Sequence, residues 1–314
     1  MSITDNMKDQ TFGVEIEMYG ISRQNAAQVA ASYFGTNNSA HIGGGCYDVW
    51  SAWDQQGREW QFSRDSSIRA ANELEKCELV TPILYYSDIE TLQELIRQLR
   101  HKGARSNPNH GCGVHIHVGG DGHTAQSLRN LVNIMAAHED ILINAIQIAS
   151  SRTYQYCKPV DPNFLQKVNS VKPKNLQVFE DIWYQSQNSD IMRTLHYNNS
   201  RYHMLNLHSF FNGHGTVEFR LFQFDNPNPN GHYKGGLHAG KLKSYIQLAL
   251  ALNQAAKEAK STQPTKVQME NQKYAMRTWL LRLGFIGPEF ETARKWLLDR
   301  LSGDAAYRHG RPAA

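Results

Sequence analysis

The chain of 314 residues is poor in cysteine: Cys46, Cys77, Cys112 and Cys157 are all it has, and none stand close enough for a C-x-x-C pair. That spacing excludes a zinc knuckle or a dithiol redox motif and leaves reduced, mostly buried thiols as the expectation. Apolar runs approaching the roughly 18 residues that span a bilayer are also lacking, the longest being interrupted by His, Gln or Asn, and mean hydropathy is -0.56. The segment MSITDNMKDQTFGVEIEMYG carries acids where a secretory signal needs an apolar core. A cytoplasmic location with no membrane partner is therefore expected. Concentrated basic charge is missing: 33 Lys and Arg against 29 Asp and Glu leave a dispersed +4. No nucleic-acid binding is evident from that balance, while attraction for anionic ligands stays open. There is no G-x-S-x-G elbow, no Ser-His-Asp signature and no G-x-x-x-x-G-K-[ST] phosphate loop, so neither a serine nucleophile nor a P-loop is expected. Internal repeats and low-complexity tails are absent.

What remains is the composition of a globular protein, 40% hydrophobic and 20% charged, long enough to bury a substantial core. FGVEIEM at 12–18 alternates apolar and acidic residues as a strand with one polar face does. Ser22 can cap a following helix, and Gly35 is a natural stop. Residues 36–64 turn to Gly, Asn, Ser, Asp and Trp around a flexible Gly43-Gly44-Gly45 cluster, before WQFSRDSSI returns to strand character. ELVTPIL at 78–84 reads as a strand, 88–102 as an amphipathic helix, GVHIHVGG at 113–120 as a strand and 124–150 as a long helix. RYHMLNLHSFF and GTVEFRLFQF read as a strand hairpin, and 241–301 as helices broken near Pro264 and Pro288. We expect a single α+β catalytic domain over 1–314, with a strand-rich core at about 12–225 and a helical region at about 240–301.

Three of these strands place polar pairs two residues apart, hence on one face: Glu15 with Glu17, His115 with His117, and Glu218 with Arg220. Taken alone, each has a bland reading, as the solvated face of a half-exposed sheet or as a salt bridge along one strand. The combination favours a site. Clustered carboxylates repel one another unless a cation neutralises them, and oxygens with an imidazole suit Mg2+ or Mn2+ better than a thiol-rich zinc site. Arg220 supplies fixed positive charge for a phosphoryl group in transfer, so metal and arginine together point to a nucleoside triphosphate.

The motifs FGVEIE, ELVTP, G-x-G-V-H-I-H-V and V-E-F-R-L-F, in this order from about Phe12 to Phe222, resemble the amidoligase family within the glutamine synthetase and glutamate-cysteine ligase superfamily of carboxylate-amine ligases. The resemblance implies a glutamine-synthetase-like α+β fold, a mainly antiparallel sheet forming an open half-barrel with helices on its outer face. It implies an ATP-dependent ligase that activates a carboxylate as an acyl phosphate and joins it to an amine, releasing ADP and phosphate, with two or more Mg2+ ions. By motif, Glu15, Glu17, Glu78, His115 and Glu218 resemble metal ligands, His117 a contact to ATP phosphates, and Arg220 the residue stabilising the transferred phosphoryl group. Asp65 resembles an aspartate at the substrate end, although Ser66 replaces the usual Gly. Arg201, Tyr202 and Asn206 match an R-Y-x-x-x-N element facing the substrates, and Arg152 with Tyr154 matches more loosely. Arg and Tyr beside a strand also often cap carbonyls or pack at an edge. Lys234 and Lys241 could contact nucleotide, but a Gly-rich loop without the P-loop pattern is better read as a connection. A kinase of a guanidino or carboxylate group on the same fold, a metal-dependent hydrolase using the H-x-H pair, and a non-catalytic binding module all stay open. The carboxylate, the amine and the oligomeric state are not legible.

Overall fold

The computed structural model describes residues 3–227 and 235–308. Its strands are β1 (Phe12–Met18), β2 (Ser39–Gly43), β3 (Val49–Trp53), β4 (Glu59–Ser63), β5 (Cys77–Val80), β6 (Val114–Gly119), β7 (Leu205–Asn206) and β8 (Thr216–Phe222). They form a sheet in the order β2-β3-β4-β5-β1-β6-β8-β7. The β1–β5, β2–β3, β3–β4, β4–β5 and β7–β8 ladders are antiparallel. The chain is thus an α+β protein built on an eight-stranded antiparallel sheet with helices. It divides into two compact units, one from the described residues of Thr11–Ile116 and Phe222–Lys243, the other from those of Met1–Gln10, His117–Leu221 and Ser244–Ala314.

In the first unit, period two decides what each strand buries. Phe12, Val14, Ile16 and Met18 of β1 are all buried, as are Trp60 and Phe62 of β4 and Cys77 and Leu79 of β5. Helix Arg23–Tyr33 packs on β2, β3 and β4 through Ala26, Ala27, Ala30 and Ala31, small side chains that let it lie close to the strands. Ser22 caps it by accepting a hydrogen bond from the Asn25 amide, and Gly35 follows it at φ 72°. Helix Ile89–His101 buries the stripe Ile89, Leu92, Leu95, Ile96 and Leu99. The region 36–64 holds three strands, β2, β3 and β4, of which β2 and β3 lie in its glycine-rich, polar part. These two pair beside Gly43, where the register shifts by a bulge.

In the second unit the long helix Ala125–Ile146 is capped by Thr124, whose side chain accepts from the Ser127 amide. The expected hairpin before β8 differs from the reading of its sequence. Pairing is limited to Leu205–Phe219 and Asn206–Glu218, because the chain turns into helix His208–Asn212 directly after Asn206. The Asn206 side-chain oxygen accepts from the His208 amide and so starts that turn. No helix among the described residues is long and apolar enough to cross a membrane.

Candidate functional site

The first unit carries a carboxylate and imidazole cluster that the sheet register creates. Alternation on β1 puts Glu15 and Glu17 on the face opposite the apolar set. The antiparallel register then sets Glu17 directly across from Glu78 on β5, and Glu78 across from Ser63 on β4. Glu17 and His115 are both buried. One Glu17 oxygen, Oε2, accepts the Gly113 amide at 2.5 Å, and the other lies 4.0 Å from His115 Nε2. His115 Nδ1 lies 3.0 Å from Glu15 Oε2. An imidazole that donates Nδ1–H to Glu15 turns Nε2 toward Glu17 as a lone pair, the arrangement in which a carboxylate orients a metal-binding histidine. Ser63 Oγ donates to Glu78 Oε2 at 3.3 Å.

Like charges directly opposite on neighbouring strands are destabilising. The Glu78 carboxyl shows the strain. Burial pushes its pKa well above the ordinary carboxylate range, and the charges of Glu15, Glu17 and Asp65 push it further, against the Ser63 hydrogen bond. One ligand atom from each of Glu17, Glu78 and His115 falls within 4.8 Å of the others. Two hard carboxylates with one imidazole are a donor set that fits Mg2+ or Mn2+. Asp65 sits in the turn after β4, where its Oδ1 accepts the Ser67 amide at 2.6 Å, a local Asx turn. Its charge is felt at Glu78.

The second unit carries a separate arrangement around β8. Glu218 and Arg220 are both buried, and Arg220 Nη1 donates to Glu218 Oε1 at 2.6 Å. Asn206 Nδ2 donates to the other oxygen, Oε2, at 2.5 Å, and His117 Nε2 lies 3.9 Å from Oε1. His117 Nδ1 is held 2.9 Å from Thr216 Oγ1. The Arg220 guanidinium lies 5.9 Å from the Tyr202 ring centroid. Arg152 does not present its charge outward. It is buried, and its Nη2 donates to the Arg220 carbonyl at 2.9 Å, fixing the backbone that carries Arg220. Arg201 lies 5.4 Å from the Tyr197 ring and 5.9 Å from the Tyr202 ring, with Nη1 on the His196 carbonyl.

Several candidates fall elsewhere. Tyr154 is 84% exposed. Lys241 Nζ is 2.6 Å from both carboxylate oxygens of Asp225, which removes it as a ready phosphate contact. Lys234 lies outside the described residues. Cys46 is exposed, and Cys77, Cys112 and Cys157 are buried free thiols. Two groups escaped the reading of the sequence. The Gly113 amide and Ser63 both hold carboxylates, and only strand register reveals them.

The profile of the family described as "Putative amidoligase enzyme" matches residues 8–253. The chain belongs to that family. This amidoligase family member has no match among curated proteins. Among solved structures it is similar to a bifunctional glutathione synthetase from Pasteurella multocida, at 14% identity and a TM-score of 0.46. That likeness covers 96% of this chain and 49% of the other, so the amidoligase family member spans about half of its length.

Proposed function

We propose that the protein is an ATP-dependent carboxylate-amine ligase with a glutamine-synthetase-like catalytic fold, acting in the cytoplasm. The observation that carries the reading is the facing pair Glu17 and Glu78 with His115 beside it, a partly buried group of acids that calls for a cation. Glu17, Glu78 and His115 would hold Mg2+ or Mn2+, and Glu15 and Glu218 are the further acidic ligands that the family motifs assign. A divalent ion bound by such residues supplies positive charge to the phosphate oxygens of ATP.

In the proposed reaction a substrate carboxylate oxygen attacks the γ-phosphorus, and the bond to the bridging oxygen breaks to release ADP. The amine then attacks the acyl carbon, phosphate leaves and a proton is lost from nitrogen. Arg220 places a fixed guanidinium where charge gathers on the transferring phosphoryl group, and His117 contacts the ATP phosphates. Glu218, itself held by Asn206 at 2.5 Å, anchors Arg220 through its 2.6 Å contact. Arg201 with Tyr202 would receive an anionic substrate. Asp65 is the candidate base for the amine.

A screen of ADP release, crossing carboxylates with amines in Mg2+, tests the reading. Turnover that requires both an acid and an amine, and that falls in Glu17→Gln, supports it. Turnover that requires an acid and no amine, yielding a stable phosphorylated compound, replaces the ligase by a kinase.

A further inference from the structure

A second place in the first unit gathers charge of the opposite sign. A cavity of about 600 Å³ is lined by Arg97, Arg100, His101, Arg105 and His238, together with the first residues of helix Ala239–Glu258 and the apolar side chains of Ile96 and Leu237. No Asp or Glu is among its described lining residues. Among the described residues neither Arg100 nor Arg105 has a carboxylate within ion-pair distance. Arg100 Nη1 donates to the Leu237 carbonyl at 3.3 Å, and Arg105 Nη1 to the carbonyls of Arg100 and Ala104 at 3.0 and 2.7 Å. Each guanidinium has five donor hydrogens, so these contacts anchor the two groups without neutralising them. Arg97 pairs with Glu94 at 2.8 Å, but both side chains are at least a third exposed, at 50% and 38%, and such surface pairs exchange readily.

Basic residues at the end of a helix have an ordinary explanation, since Arg100 and His101 close helix Ile89–His101 where cations complement the helix dipole. That accounts for neither Arg97, one turn earlier, nor His238, which arrives from a distant part of the chain. His238 also feels the accumulated charge. Burial first, then the charges of Lys241 and Arg100, hold its pKa below the usual histidine range. Its Nδ1 accepts the Lys241 amide at 3.2 Å.

We propose that this cavity binds a phosphorylated small molecule, with Arg97, Arg100, His101 and Arg105 on its phosphate and Ile96 and Leu237 against its organic part. Three guanidinium groups exceed what a single carboxylate needs, and planar forks suit phosphate oxygens. The volume exceeds that of bare phosphate and falls within the range of about 300–1,000 Å³ typical of small-molecule sites. The proposal uses none of the residues assigned to the ligase reaction and stands apart from it.

The test is calorimetric titration of the full chain with inorganic pyrophosphate in EDTA at low salt, with succinate as the carboxylate control. Pyrophosphate is expected to bind saturably, at least about tenfold more weakly in the double variant Arg97→Gln/His101→Gln and in Arg105→Gln, and with unchanged affinity in Glu17→Gln. Arg97 and His101 are exposed, so the double variant keeps the fold, which an unchanged thermal melt verifies. Absence of saturable binding, equal affinity in the double variant, or succinate binding as tight as pyrophosphate overturns the proposal.

Discussion

Glu17 and Glu78 stand directly opposite each other on β1 and β5, two carboxylates paired across a ladder that leaves Glu17 buried. Such a pair is stable as built only when a proton or a cation sits between the charges. Glu78→Gln removes one charge and keeps the shape. The metal-free variant is expected to melt at the wild-type temperature or slightly above it, by about 0–1 kcal/mol in stability. Saturating Mg2+ is expected to raise the melting temperature of the wild-type chain, and that shift should vanish in the variant. Thermal melts with and without Mg2+ read both effects, and an undiminished shift in the variant removes Glu78 from the metal site.

Arg220 is both a neighbour of Glu218 and the proposed phosphoryl contact, and two substitutions separate these roles. Arg220→Ala leaves Glu218 buried beside Asn206 without its cation, which should cost about 3–5 kcal/mol in urea denaturation. Arg220→Lys keeps the charge and loses the planar fork. It should remain folded, with ADP release reduced roughly 10²–10³-fold. Turnover within a few-fold of wild type in Arg220→Lys would exclude a role for its geometry.

Asp54 is expected to contribute to stability that is lost in acid. It is buried and accepts hydrogen bonds from Trp60 Nε1 at 3.1 Å, the Gln56 and Arg58 amides at 3.0 and 2.9 Å, and Arg58 Nε at 2.8 Å. Burial alone would raise its pKa, but the Trp60 and Arg58 hydrogen bonds outweigh it and hold the carboxyl below its ordinary value. A depressed folded pKa means that the folded state sheds its proton first. The stabilisation is therefore complete above the unfolded value, near pH 4, and is lost as pH falls through the folded value. Asp54→Ala should cost about 1–3 kcal/mol at pH 7, mainly from the Trp60 and Arg58 donors it leaves unmatched, and less in acid, measured by urea melts at pH 7 and at low pH.

Gly111 sits at φ 80°, and a Cβ there would meet the Ser67 carbonyl at 2.8 Å. It leads into Gly113, whose amide holds Glu17, and abuts the turn of Asp65. Gly111→Ala is expected to lose about 1–3 kcal/mol and to weaken the Mg2+ response as well. A variant that loses stability with an intact response would show that the loop can shift without disturbing Glu17.

The alternation of FGVEIEM, VHIHVG and TVEFRLF was sufficient to locate β1, β6 and β8 and to name their polar faces, because period two is a local property of the backbone. Helix Arg23–Tyr33 was legible for the same reason, from its Ser22 cap and Gly35 stop. The bounds and register of β2 and β3 were not, since the pairing of a polar, glycine-rich strand depends on its neighbours rather than on a local pattern. Partnerships between distant residues were equally hidden. That Glu78 faces Glu17, that the Gly113 amide holds Glu17, and that Arg152 turns inward to the Arg220 carbonyl are matters of register and packing.

The sequence by itself determined which side chains can carry charge and on which face of each strand they lie. Only the tertiary structure decided which of those charges meet. Faces follow from the chirality and pleat of a single strand. Encounters follow from long-range ladders and from helix ends such as Arg100 and His238, which lie 138 positions apart in the chain and line one cavity.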